Sequence, residues 1–270
     1  FTAVSATVYT AVFTPSENST ASGLISVTGD KFTDAAGNDN TAGSLTLAVD
    51  TVVPGIAITS SDSALKAGET ATITFTLSEP SDDFTAEDIS VSGGSIDSFT
   101  AVSATVYTAV FTPAEDSTAS GLISVDTSSF TDAAGNANTS NSLLLTIDTV
   151  VPGITITSSD SALKAGETAT ITFTLSEPSD DFTAEDISVS GGSIDSFTAV
   201  SATVYTAVFT PSENSTASGL ISVTGDKFTD AAGNDNTAGS LTLAVDTVVP
   251  GIAITSSDSA LKAGETATIT

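Results

Sequence analysis

The sequence predicts an all-β chain, a string of two-sheet antiparallel sandwiches, and three observations carry that prediction. The segment FTAVSATVYTAVFTP begins at Phe1, Phe99 and Phe197, and DTVVPG begins at Asp50, Asp148 and Asp246, each series stepping by 98 residues. Within a step, apolar residues alternate with Thr and Ser over short runs, the period of strands with one dry and one wet face. Gly, Pro, Asn and Asp punctuate those runs, and no stretch carries a helical period. A unit of 98 residues can bury its own core, so the units are beads on a string and not solenoid turns that need their neighbours.

Residues 50–147 are one complete unit. Asp50 to Gly55 reads as a linker, because Pro54 holds the residue before it extended. Ile56 to Ile58 starts a short strand that the polar cluster Ser60 to Ser63 closes, and Ala64 to Glu69 reads as a turn. Thr70 to Leu77 alternates strictly, with Ile73, Phe75 and Leu77 on one face and Thr72, Thr74 and Thr76 on the other. Glu79 to Asp83 is a loop. Ile89 to Val91 is a strand broken at Gly93 and Gly94, and Ile96 to Val102, Thr105 to Thr112 and Gly121 to Val125 follow as strands. Ser129 to Asn136 is a loop, and Ser142 to Ile147 is the last strand.

Seven short strands and a length near 100 residues fit a sandwich of the immunoglobulin type. With no Cys and no Trp, its core must be Ile, Leu, Val, Phe and Tyr107. The copies support the facing of the last strand. Thr46 and Ala48 become Leu144 and Thr146 on one face, while Leu45, Leu47 and Val49 stay apolar as Leu143, Leu145 and Ile147 on the other.

The chain therefore divides into the C-terminal part of a repeat (1–49), complete repeats at 50–147 and 148–245, and the N-terminal part of another (246–270). Residues 1–74 and 197–270 are identical. The first and last parts lack the rest of their sandwiches and so expose strand edges. The expectation is a window on a longer ordered fibre, in preference to molecules that complete one another by strand exchange.

Composition narrows the function. Five Lys, no Arg and 33 acidic residues give a net charge of −28, which argues against nucleic acid and anionic membrane, both bound through Lys and Arg. Cations are the natural partners. No apolar run approaches the ~18 residues of a membrane span, so no membrane insertion is expected in this segment. The apolar fraction of 40% is too high for a disordered acidic chain.

In order along the repeat, DTVVPG, SSDSALKAGETATITFTLSE, FTAEDISVSGG, VYTAVFTP and FTDAAGN lead to a closing apolar strand. In this the chain resembles the bacterial Ig-like tandem repeats of giant surface adhesins and biofilm-associated fibre proteins. The resemblance covers the whole chain. It implies a β-sandwich, a place outside the cell or on its surface, a role in adhesion or extension, and calcium.

The residues themselves also point to calcium, a hard cation that takes six to eight oxygen ligands. The unit 50–147 holds 13 acidic residues against one Lys. Asp132 and Asn136, in the DAAGN loop, fall near the end of the sandwich that meets a linker Asp. Asp34 and Asn38 with Asp50, Asp132 and Asn136 with Asp148, and Asp230 and Asn234 with Asp246 are the candidate groups. Glu79 with Asp83, and Glu177 with Asp181, could add carboxylates from a second loop. No EF-hand spacing is present, and Asp and Asn are also ordinary turn formers.

Two further features invite other readings. The Thr-rich strand faces could carry carbohydrate or ice, although Thr is simply a good residue for the wet side of a strand. Asn18, Asn138 and Asn214 begin Asn-X-Ser/Thr triplets that match the glycosylation pattern. Catalysis has no His or Cys to use, and a repeated unit with no evident cleft reads as structural and not enzymatic. The expected partners beyond calcium are neighbouring repeats and identical chains in a filament.

Overall fold

The alternating run of the first complete repeat becomes the strand Ala71–Leu77, whose Ile73, Phe75 and Leu77 are buried. Burying such a side chain is worth about 1.5–3 kcal/mol, so the face that turns inward is set by the pattern. The computed structural model describes residues 1–270 and divides into two compact units, 1–149 and 150–270.

In the first unit, Ile56–Ser60, Ala71–Leu77, Val106–Pro113 and Gly94–Ala101 form one antiparallel sheet in that order. Ala64–Lys66, Asn141–Asp148, Gly121–Val125 and Ile89–Ser92 form the other. The second unit repeats both sheets at residues 154–246, with the same strand order. Residues 1–49 hold two small ladders, Thr2–Ala3 with Tyr9–Thr10 and Gly23–Val27 with Gly43–Leu47.

One element departs from the sequence reading. The expected turn at Ala64 to Glu69 begins with a strand, Ala64–Lys66, which pairs in parallel with Thr146 to Asp148. Only Leu65 of the three points into the core. Three residues are too few to show a period, so the pairing is not legible locally. The first strand of the repeat is thus divided at Ser60 to Ser63 and serves both sheets.

The core is aromatic as well as aliphatic. Phe84 sits 5.0 Å from the Tyr107 ring and 5.1 Å from Phe130, both edge-on, a geometry that favours aromatic pairs. Phe84 and Phe130 come from loops, yet are 4% and 1% exposed. The Tyr107 hydroxyl donates to the Ser81 carbonyl at 3.0 Å, which satisfies the one polar atom of that ring. The edge strand Gly94–Ala101 slips register opposite Thr108 and Val110, and Ser98 has φ 54°. A bulge of this kind spoils an edge for further pairing.

Candidate functional site

The linker is held at both ends. The Thr51 hydroxyl donates to the Ser16 carbonyl at 2.7 Å and accepts from the Ser19 amide at 3.0 Å. On the other side of Val52 and Val53, the Pro54 carbonyl accepts from the Thr139 amide and the Gly55 carbonyl from the Ser78 amide. Thr149 repeats the hold on the first unit through Ala114 and Ser117, and Thr247 does so on the second through Ser212 and Ser215. Sequence reasoning missed these hydroxyls, because a Thr in a linker carries no signal of its partner.

Asp50 lies on this linker. Its carboxylate, that of Glu79 and that of Asp132 come within 4.8 Å of one another. Glu79 follows the strand Ala71–Leu77, and Asp132 is in the DAAGN loop, where its carboxylate accepts from the amides of Ala134 and Asn136 at 2.8 and 2.9 Å. The Asn136 side chain donates to Asp132 at 2.8 Å and to the Asp50 carbonyl at 3.3 Å. These bonds explain the loop shape: Asp132 organises the turn that Gly135 completes at φ 89°.

The electrostatics follow from the crowding. Burial, then the charges of Asp50 and Asp132, raise the Glu79 carboxyl above its usual range. Burial also pushes Asp132 upward, but the hydrogen bonds from Asn136, Ala134 and Gly135 outweigh it and hold the group low. Three hard oxygen donors so placed suit a calcium ion, whose other positions carbonyls or water would complete.

The remaining candidates are placed differently. Asp83 and Asp181 belong to another contact, each carboxylate accepting from the amide and hydroxyl of Thr131 or Thr229. The Thr131 amide bond is the chief cause that keeps Asp83 low; for Asp181, burial is outweighed by the Thr229 and Ser179 bonds. Glu177 and Asp230 of the second unit have carboxylates within 4.8 Å, and Asn234 donates to Asp230 at 2.8 Å. Asp34 and Asn38 keep the same loop bond at 2.8 Å on an exposed surface. Asp148 is the register partner of Lys66, and Asp246 that of Lys164.

Two other sequence features resolve plainly. Asn138 is 1% exposed, and its amide accepts from Ser129 and Phe130 and donates to Asp126 and Thr139, so in the folded repeat it is not a glycosylation acceptor. The threonines form a rank across one sheet, in register Thr59, Thr74, Thr108 and Thr100.

No helix is long and apolar enough to cross a membrane. Comparison with curated proteins finds no match. Solved structures similar to this chain include the Escherichia coli adhesin FdeC, at 19% identity over 78% of this chain and 71% of that one, with a TM-score of 0.43. The Yersinia pseudotuberculosis adhesin InvE is 15% identical over 76% of this chain and 60% of its own, with a TM-score of 0.32. Invasin, a bacterial integrin-binding protein, is 16% identical over 83% of this chain and 52% of its own, with a TM-score of 0.41. The family profile described as "Bacterial Ig-like domain" matches residues 1–49, 50–147 and 148–245, and with that match over three successive stretches the chain belongs to the bacterial Ig-like domain family.

Proposed function

We propose that the chain is a structural and adhesive segment of an extracellular or cell-surface fibre, whose repeats act as a spacer that calcium stiffens at the junctions. The observation that carries this reading is the convergence of Asp50, Glu79 and Asp132 within 4.8 Å beside a linker gripped at both ends. Without a cation the three carboxylates repel one another, and after burial that repulsion is what raises the Glu79 carboxyl. With calcium they tie the linker Asp to two loops of the following sandwich, which limits bending where only Val52 and Val53 lie between the two grips. Identical chains are the further partners, in a filament.

The rival reading, carbohydrate or ice on the threonine rank, has less support. In the two complete repeats the rings pack in or against the core, away from the threonine rank, and strand twist carries a four-strand rank out of one plane.

The test is thermal unfolding of the chain with and without millimolar calcium, paired with small-angle scattering. The expected result is a higher midpoint and a longer, stiffer particle with calcium. No change in either removes calcium from the reading.

A further inference from the structure

Of the three Asn-X-Ser/Thr triplets, the fold buries one and presents two. Asn138 has its side-chain amide committed to the Asp126 and Thr139 carbonyls. Asn18 and Asn214 are exposed, and so are Thr20 and Thr216 two residues on. Both Asn residues sit in turns, at φ 49° and 50°, a left-handed conformation that Asn adopts more readily than most residues. Neither side-chain amide has a partner within the protein.

The residue between Asn and Thr is held from the protein side. The Ser215 amide donates to the Thr247 hydroxyl at 2.9 Å, and the Ser215 hydroxyl accepts from the Ala217 amide at 3.1 Å. Ser19 makes the same two bonds, with Thr51 at 3.0 Å and Ala21 at 3.1 Å. Both serines are half-buried while the Asn and Thr that flank them stand in solvent. The turn does not need the amide. The first complete repeat has Asp116 at this place, with φ 47° and the same bond from the Ser117 amide to Thr149. Asn and Asp serve the turn alike, so the two amides are spare as far as folding is concerned.

The surroundings suit a sugar. Asn214 borders an open hollow of about 340 Å³, whose wall includes Thr168, Pro211, Glu213, Thr247 and Val249. Asn18 borders a smaller one with Pro15, Glu17, Thr51 and Val53. A few polar groups beside an apolar Pro and Val make a mixed lining of the kind small ligands use. A pyranose ring is its complement, with hydroxyls at the rim and C–H groups on the faces.

We propose that Asn18 and Asn214 are acceptors of N-linked carbohydrate, and that the first sugar at each seats in the hollow beside the following linker. The donor is a nucleotide-diphosphate sugar, and a glycosyltransferase acting on the chain carries out the transfer. The side-chain nitrogen attacks the anomeric carbon. The new C–N bond forms as the bond from that carbon to the diphosphate oxygen breaks; the diphosphate leaves with the electron pair and the nitrogen gives up one proton. With Asp116 between them, the glycans fall on the repeats to either side of the first complete one. The assignment stands on exposure and hydrogen bonding, and is independent of calcium at the junctions.

The test is to treat the full chain with UDP-glucose and a soluble bacterial asparagine glucosyltransferase, then read it by intact mass and peptide mapping. Two hexoses are expected, at Asn18 and Asn214, with Asn138 unmodified. Asn214→Gln should leave one. Asp116→Asn changes an exposed side chain, keeps the turn, and should add a third. A chain that takes up no hexose, one modified at Asn138 as fast as at Asn214, or an Asp116→Asn chain without a third hexose overturns the acceptor assignment.

Hydrogen exchange reads the seat. Glucose on Asn214 should slow exchange of the Ser215 amide several-fold, while the Ser117 amide of the unmodified repeat keeps its rate. An unchanged Ser215 rate means that the sugar stands in solvent, and overturns its place in the hollow.

Discussion

The carboxylate of Asp83 accepts from both the amide and the hydroxyl of Thr131, 48 positions further along the chain, at 2.9 and 2.8 Å. Asp181 and Thr229 repeat the contact in the second complete repeat. It ties the loop that carries Glu79 to the loop that carries Asp132, and so sets the distance between two of the three converging carboxylates. Asp83→Ala should destabilise its repeat by about 1–2 kcal/mol, since a bond to an exposed charge is worth less than a buried one. Denaturant unfolding of the chain checks this, with Asp181→Ala expected to give the same loss in the other repeat.

Removing one hydroxyl should loosen the end of the first unit. Thr149 is 5% exposed and serves as both donor and acceptor. Thr149→Val keeps the shape, leaves the Ser117 amide short of one partner, and should cost about 1 kcal/mol. Hydrogen exchange reads it directly: the Ser117 amide should exchange faster while amides of the Ala71–Leu77 strand keep their protection.

Leu65 anchors the short strand that the sequence conceals. Leu65→Ala should cost about 2–5 kcal/mol, the range for a buried Leu that leaves a cavity, and Leu163→Ala should do the same in the second repeat. A loss within about 0.5 kcal/mol, the range of ordinary surface changes, would mean that Ala64–Lys66 does not pack as described.

Acid should act in two opposite steps on the metal-free chain. Glu79 has a raised carboxyl in the folded state, so the folded form takes up its proton first and stability rises as the pH falls toward that value. Asp83 and Asp132 are held low by their hydrogen bonds, so their contribution is complete above the unfolded value and is lost as the pH falls through the folded one. The midpoint should climb on mild acidification and then drop below about pH 4. Thermal unfolding across that range in a chelator checks it, and a steady fall from neutral pH would remove the strained role given to Glu79.

Glu79→Gln separates repulsion from ligation. It should raise the midpoint of the metal-free chain, because one of three crowded charges is gone, and reduce any rise that calcium brings. Unfolding with and without calcium measures both, and an undiminished calcium effect would take Glu79 out of the ligand set.

The 98-residue step, the strands with strict alternation, the facing of Leu143, Leu145 and Ile147 and the acidic surface were all determined by the sequence alone. Each follows from a local period or a sum of charges, and neither needs knowledge of what a residue touches. The tertiary structure alone decided that Ala64–Lys66 is a strand, that Phe84 and Phe130 leave their loops for the core, and that Thr149 holds Ser117. It also decided that Glu79, not Asp83, joins Asp50 and Asp132. These are meetings of residues far apart along the chain, as with the Tyr107 hydroxyl on Ser81, 26 positions away, and the Asn136 amide on Asp50, 86 positions away. Such meetings exist only once two sheets have closed on one core, and no period within a single strand encodes them.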